Sequence, residues 1–184
     1  MPTTGVRILG ISGSIRKGSY NTALLHAAKK MVPENSELEI FDISGIPEYN
    51  QDTENNPPEK VVWLKKKIKE ADAILISTPE YNYSIPGALK NAIDWASRPD
   101  NPFDGKAAAI MSASVGAMGG SRAQYHLRQV FIFLNVYAVV KPEVIVTFAS
   151  EKIGKDGELK DTEVQKRISL LLNKLVEFSI KLKQ

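Results

Sequence analysis

Three runs in this chain, Val6–Ile11, Ala73–Ser77 and Ala107–Ser112, are apolar at nearly every position instead of every second one. A strand with water on one side alternates. A strand apolar throughout is covered on both faces, the condition of a parallel sheet between helical layers. Leu38–Ile43 does alternate and predicts a half-buried strand near a sheet edge, and Val144–Phe148 predicts the last strand. Helical spacings separate them. Ala23, Leu24, Leu25, Ala27, Ala28 and Met31 form the first, and a second is opened by Pro57 and Pro58 and runs to about Glu70. Gly87–Ala96 follows a first-turn Pro86, and Ser121–Leu134 and Asp161–Leu182 complete the set. Five strands alternating with helices predict an α/β fold with right-handed crossovers and with ligands beyond the carboxyl ends of the strands. The 184 residues carry no internal repeat and suit one domain, residues 1–184.

Composition narrows the chemistry. Without cysteine there is no disulfide, thiolate metal site or thiol nucleophile, so redox chemistry would have to come from a bound cofactor. Two isolated histidines, His26 and His126, are too few for a metal cage, so no metal is expected; each is expected at solvent or a helix seam. The net charge is only +3. Lys65-Lys66-Lys67 lies on a helix whose other face is assigned Val61, Val62, Leu64 and Ile68, which reads as a solvated surface and not a nucleic-acid site. Met1 to Gly5 does not resemble a signal peptide, and no stretch reaches membrane-spanning length, so a cytoplasmic protein is expected.

Three loops leave strands at one predicted sheet edge. The first, Gly13–Thr22, joins the first strand to a helix, where N–H groups and the helix dipole favour an anion. Ser14, Ser19, Asn21 and Thr22 add neutral donors and Arg16 a forked cation, a set suited to a terminal phosphate. Neither the G-x-G-x-x-G dinucleotide pattern nor the triphosphate-loop pattern is present. An ordinary turn with a Ser or Asn cap is the competing reading, and ten polar or small residues exceed what a cap needs. The second loop, Ser77–Gly87, sets Pro79, Glu80, Tyr81, Asn82 and Tyr83 where a turn would use small residues. It suits a flat ring ligand, and Tyr81 and Tyr83 could equally anchor a dimer. The third, Ser112–Arg122, holds Gly116, Gly119 and Gly120, through which backbone could approach a ligand; a flexible loop leading into a helix is the alternative.

Together these loops resemble the NAD(P)H-dependent FMN reductase family, which includes quinone, azo-dye and chromate reductases. The G-S-x-R-x-x-S-x-N pattern reads as Gly13 to Asn21. The P-E-Y-N-x-x-x-P-G-x-L-K-N-x-x-D-W pattern reads as Pro79 to Asn82, Pro86 to Asn91, and Asp94-Trp95. The resemblance implies a flavodoxin-like three-layer sandwich with a five-stranded parallel sheet of order 2-1-3-4-5 and non-covalent FMN. The phosphate would lie on Ser14, Arg16, Ser19, Asn21 and Thr22. The ring would rest against Pro79, Glu80, Tyr81, Asn82 and Tyr83, with backbone from Ser114 through Gly116, Gly119 and Gly120 at its pyrimidine edge. It further implies NADPH or NADH as co-substrate and free flavin, quinone, azo compound or metal oxyanion as acceptor. No catalytic side chain is implied, since the flavin N5 carries the hydride. A homodimer or homotetramer is implied, with Asn82-Tyr83, Lys90 to Trp95 and the helix from Ser121 at the interface. A flavodoxin-like electron carrier served by a protein partner is the rival, though such carriers tend to be strongly acidic and this chain is mildly basic.

Overall fold

A computed structural model describes residues 5–184; Met1–Thr4, most of the segment expected not to be a signal peptide, lie outside the described residues. The elements run β1 (Arg7–Ser12), α1 (Tyr20–Lys29), β2 (Glu37–Phe41), α2 (Glu59–Glu70), β3 (Ala73–Thr78), α3 (Gly87–Ala96), β4 (Ala107–Ala113), α4 (Ser121–Leu134), β5 (Tyr137–Ala138), β6 (Val144–Val146), α5 (Ala149–Lys152) and α6 (Thr162–Leu182). All pairings within the sheet are parallel, in the order β2-β1-β3-β4-β5, with β6 also paired to β4. This is the flavodoxin-like order.

Period-two geometry sends successive side chains of each central strand to opposite faces. Ile8, Leu75 and Met111 enter a core closed by α1 and α6. Leu9, Ile74, Ile76 and Ile110 enter a second core closed by α3, α4 and the buried face of α2. Both faces are therefore dry, which is why these strands do not alternate. The edge strand β2 does, with Leu38 buried between exposed Glu37 and Glu39.

Sequence and structure part company at the far edge. The fifth sheet position is divided: β5 lies beside Ala107 and Ala108, β6 beside Met111 to Ala113. Between them Pro142 has no N–H to give the ladder, and Val140 and Lys141 turn out to solvent. The last strand also stops at Val146, because Phe148 adopts a left-handed φ of 49°. On α2, Val62 is exposed and does not belong to the apolar face. Lys65 pairs with Asp100 at 2.8 Å, Lys67 with Glu39 at 2.8 Å and Lys66 more loosely with Glu70 at 3.9 Å, so all three clustered lysines face this chain's own carboxylates.

At the edge of the sheet opposite the three loops, Asp72 accepts from the Arg7 N–H at 2.8 Å and from the Lys183 ammonium at 2.7 Å. Burial alone would raise its pKa. The hydrogen bonds from Lys183 and Arg7, with their charges, outweigh burial and hold the carboxyl below its ordinary 3.8. A depressed folded value stabilises the protein above the unfolded pKa, and that stability is lost as pH falls through the folded value. Asp72→Asn is expected to cost on the order of 1 kcal/mol at neutral pH. Urea midpoints for the two proteins should converge as pH falls below the ordinary 3.8 and through the depressed folded value; a gap unchanged by acid would contradict this.

Candidate active site

β1, β3 and β4 are neighbours, so the loops leaving them meet at one edge of the sheet. Gly13 donates its N–H to the Ser77 carbonyl at 2.8 Å and starts the first loop against the end of β3. A Cβ at Gly13 would lie 2.5 Å from Thr78 Oγ1, so only glycine fits there. Ser19 caps α1, its hydroxyl accepting from the N–H groups of Asn21 and Thr22. Ser14 accepts from the Arg16 N–H at 3.3 Å, and the exposed Arg16 guanidinium lies 5.6 Å from the centre of the Tyr20 ring. Thr22 shares a hydrogen bond with Ser12 at 2.9 Å. Among the described residues, the N–H groups of Ile15, Lys17, Gly18 and Tyr20 have no protein acceptor, and no acidic side chain lies between Gly13 and Thr22. Free N–H groups, three hydroxyls, a helix N-terminus and an arginine form a donor set that matches a phosphate monoester dianion.

Asn21 corrects the expected donor list. Its side chain is buried: Nδ2 donates to the Ala113 carbonyl at 3.0 Å, while Oδ1 accepts from the Ala113 N–H at 2.9 Å and the Ser77 hydroxyl at 3.1 Å. The amide ties α1 to the ends of β3 and β4 instead of facing the crevice. A groove of about 910 Å³ flanks the loop on the α1 side, where Arg16, Lys17, Lys30, Lys155 and Lys160 outnumber Glu151, Asp156 and Glu158.

In the second loop, Tyr81 and Ser84 exchange two backbone hydrogen bonds of 2.9 Å across Asn82 and Tyr83, whose φ values are 50° and 66°. Positive φ at both central residues is the geometry of a type I′ hairpin, where glycine usually takes the second place. Tyrosine there costs about 1–2 kcal/mol of backbone strain. Strain of this kind persists where surrounding contacts impose it, and α4 supplies them. Glu80 accepts from the Arg122 N–H and from its guanidinium, both at 3.0 Å, and that guanidinium lies 4.1 Å from the centre of the Tyr83 ring. His126 Nδ1 and the Ser84 hydroxyl are 3.0 Å apart. Glu80 was expected beside the ligand. Both its oxygens are instead committed to α4, whose own cap, Gly120, has no side chain to offer.

In the third loop two of the glycines also answer to packing. Gly119 and Gly120 are buried with φ of 57° and 88°; a Cβ on the first would sit 2.6 Å from Ile145 Cγ2, and one on the second 2.8 Å from Ser112 Cβ. They are glycine so that the loop can turn and pack on β6 and β4. Gly116 alone of the three faces open space. The N–H groups of Val115, Ala117, Met118 and Gly120 have no protein acceptor among the described residues and remain able to meet a polar ring edge. Ser114 accepts from Gly116 at 3.2 Å and shapes the turn.

Pro79, Tyr81, Asn82 and Tyr83 thus share one edge with Ser14, Arg16, Ser19, Thr22, Ser114 and Gly116, while the Asn21 amide and the Glu80 carboxylate are turned inward and Gly119 and Gly120 pack on β6 and β4. Ile15, Val115, Met118 and Phe148 are exposed apolar tips at the same edge. Sequence reasoning missed them, although a large apolar residue in an otherwise polar loop after a strand was a usable signal. The Asn91 and Trp95 side chains lie elsewhere. Asn91 accepts from the Tyr49 N–H at 2.7 Å, and both Asn91 and Trp95 donate to the Pro47 carbonyl at 2.8 Å. They staple the segment after β2 to α3, and buried Trp95 is no interface residue.

The family model described as NADPH-dependent FMN reductase matches residues 6–151. An NAD(P)H-dependent FMN reductase of Pseudomonas aeruginosa is 49% identical over 172 residues, 92% of this chain and 93% of the relative. An NAD(P)H:quinone oxidoreductase of Solanum tuberosum is 46% identical over 185 residues, 97% of this chain and 95% of the relative. Among solved structures, the flavoenzyme NAD(P)H:acceptor oxidoreductase FerB of Paracoccus denitrificans superposes with a TM-score of 0.87 at 34% identity, covering 96% of this chain and 98% of that one.

Proposed function

This chain belongs to the NADPH-dependent FMN reductase family, and on that premise we propose how its three loops hold the cofactor. The protein is an FMN-dependent NAD(P)H oxidoreductase. Ser14, Arg16, Ser19 and Thr22, with the free N–H groups around them, hold the FMN phosphate. Pro79, Tyr81, Asn82 and Tyr83 line the ring, and the N–H groups between Val115 and Gly120 meet its polar edge. Asn21 and Glu80 support these contacts from behind. The observation that carries this reading is the first loop: unpaired donors and one arginine, with no carboxylate among them.

The chemistry supplied by FMN when bound is hydride acceptance from NADPH or NADH and release of electrons to an acceptor such as free flavin, quinone, azo compound or metal oxyanion. The side chains contribute binding and orientation. Donors toward the pyrimidine edge favour the negative charge that reduction brings there. The apolar tips Val115, Met118 and Phe148 exclude water from the crevice rim. No side chain is required as a proton donor or base.

FMN-loaded protein should bleach anaerobically on adding NADPH or NADH with no protein partner present, and a quinone should restore the yellow colour. Persistence of colour with both nicotinamides would sink the reading.

Two finer features belong to the same proposal. The outer face of α4 exposes Tyr125, Ile132 and Phe133, with Tyr137 and Val140 beside it on the sheet edge, and this apolar face suits a second copy of the chain. Sedimentation velocity showing only monomer at micromolar concentration would remove it. A cytoplasmic setting follows from the co-substrate, since reduced nicotinamides are supplied inside cells; cell fractionation is its test. No helix among the described residues is long and apolar enough to cross a membrane.

A further inference from the structure

α4 carries a rigid and a dependent partner on neighbouring turns. On the sheet side, the Gln124 amide donates to the Ser112 hydroxyl at 2.8 Å and to the Val144 carbonyl at 2.9 Å, which fixes the helix to β4 and to the start of β6. On the crevice side, the strained Tyr81–Ser84 hairpin is held to that helix at three points: Glu80 to Arg122, Tyr83 to Arg122, and Ser84 to His126. The hairpin has little else to define it, since Tyr81, Asn82 and Tyr83 are all exposed.

We propose that Glu80 and Arg122 are positioning residues for the reaction: Glu80 fixes the guanidinium, and the guanidinium, lying along Tyr83, holds the hairpin at the distance from the third loop that a nicotinamide or quinone ring requires. The charges serve geometry here. A carboxylate only 13% exposed pins a guanidinium 35% exposed, so the arginine cannot swing freely into solvent. Its planar face is what a ring beneath it recognises, and a flexible ammonium would not reproduce it. Arg122 also bears its own helix's N–H to the same carboxylate, so displacement of Glu80 would loosen the helix start and the hairpin together. The inference rests on the FMN-reductase reading of the crevice, and its first readout is independent of it.

That readout is amide hydrogen exchange at Tyr81 and Ser84 in protein free of cofactor. Arg122→Gln and Tyr83→Leu are each expected to speed exchange at these two amides about tenfold, with the β3 and β4 amides unchanged. The double variant should be no faster than either single one, because both remove the same contact. In FMN-loaded protein Arg122→Gln should raise KM for NAD(P)H about tenfold while kcat stays within about twofold. Tyr83→Phe keeps a ring under the guanidinium and should move KM less than Tyr83→Leu does. Glu80→Gln is the second route to the same loss and should reproduce the exchange change if Arg122→Gln folds poorly. Unchanged exchange, or effects that multiply in the double variant, overturns the proposal. Faster exchange with KM unchanged overturns the role in the reaction. If exchange responds as expected but the wild type never bleaches with either nicotinamide, the functional reading fails and the clamp stands as structure alone.

Discussion

Asn21→Ala is expected to cost about 3–6 kcal/mol of folding stability, because three buried groups lose their partner at once. The Ala113 N–H, the Ala113 carbonyl and the Ser77 hydroxyl all meet the Asn21 amide, and the site has almost no access to water. Each orphaned group costs roughly 1–3 kcal/mol, with the total tempered if water enters the space left behind. Against the 5–15 kcal/mol typical of a native domain, this is a large fraction of the whole. Asn21→Asp should also destabilise, since it keeps the acceptor but sets a charge against the Ala113 carbonyl. Urea unfolding of the cofactor-free protein measures the effect. A loss under about 1 kcal/mol would mean that the amide bridge contributes nothing beyond an ordinary exposed contact.

The second large effect falls on the ligand and leaves the fold alone. Ser14→Ala combined with Arg16→Ala should weaken FMN binding by about 2–5 kcal/mol, roughly 30- to 5,000-fold, through loss of a hydroxyl and a charge-assisted contact to phosphate. Arg16 is exposed, and the Ser14 hydroxyl accepts only the Arg16 N–H at 3.3 Å, so cofactor-free stability should change by less than about 0.5 kcal/mol. The purified double variant should be largely colourless, and a fluorescence titration with FMN gives the number. Full retention of flavin would place the phosphate elsewhere. Taken with Asn21→Ala, this separates two jobs that the sequence had merged: residues seven apart in one loop, one set holding a ligand and the other holding the sheet.

Legibility in the sequence followed physical range. Helices α3 and α4 lie where Pro86 and Gly120 punctuate them, since a proline at a helix start and a glycine with left-handed φ are local signals. Strands β1, β3 and β4 were readable because burial on both faces writes itself into consecutive apolar residues. β5, two residues long, and α5, four residues long, have no periodicity to display. Residue type showed which side chains could donate to phosphate but not which way they point. Asn21 meets a partner 92 positions away, and nothing between the two records it. The hairpin at Asn82-Tyr83 was unreadable for a related reason: its turn lacks the usual glycine, and the arginine that holds it lies on another helix. The three glycines read in the sequence as openings to a ligand, and for two of them close packing below the loop is a further cause that only the fold displays.

The divided fifth position of the sheet gives the molecule a place to grow. Because β6 continues the ladder beside Met111–Ala113 while β5 stops beside Ala108, residues Val140 and Lys141 form a surface seam that bears no strand pairing. Extra residues spliced in at that seam would extend outward along the rim, and the turn at Gly119, braced on Ile145 farther along, would keep its footing. A short insertion there would reach the apolar face around Val140 before it reached the crevice, so it would separate two associated copies while leaving the three loops in place.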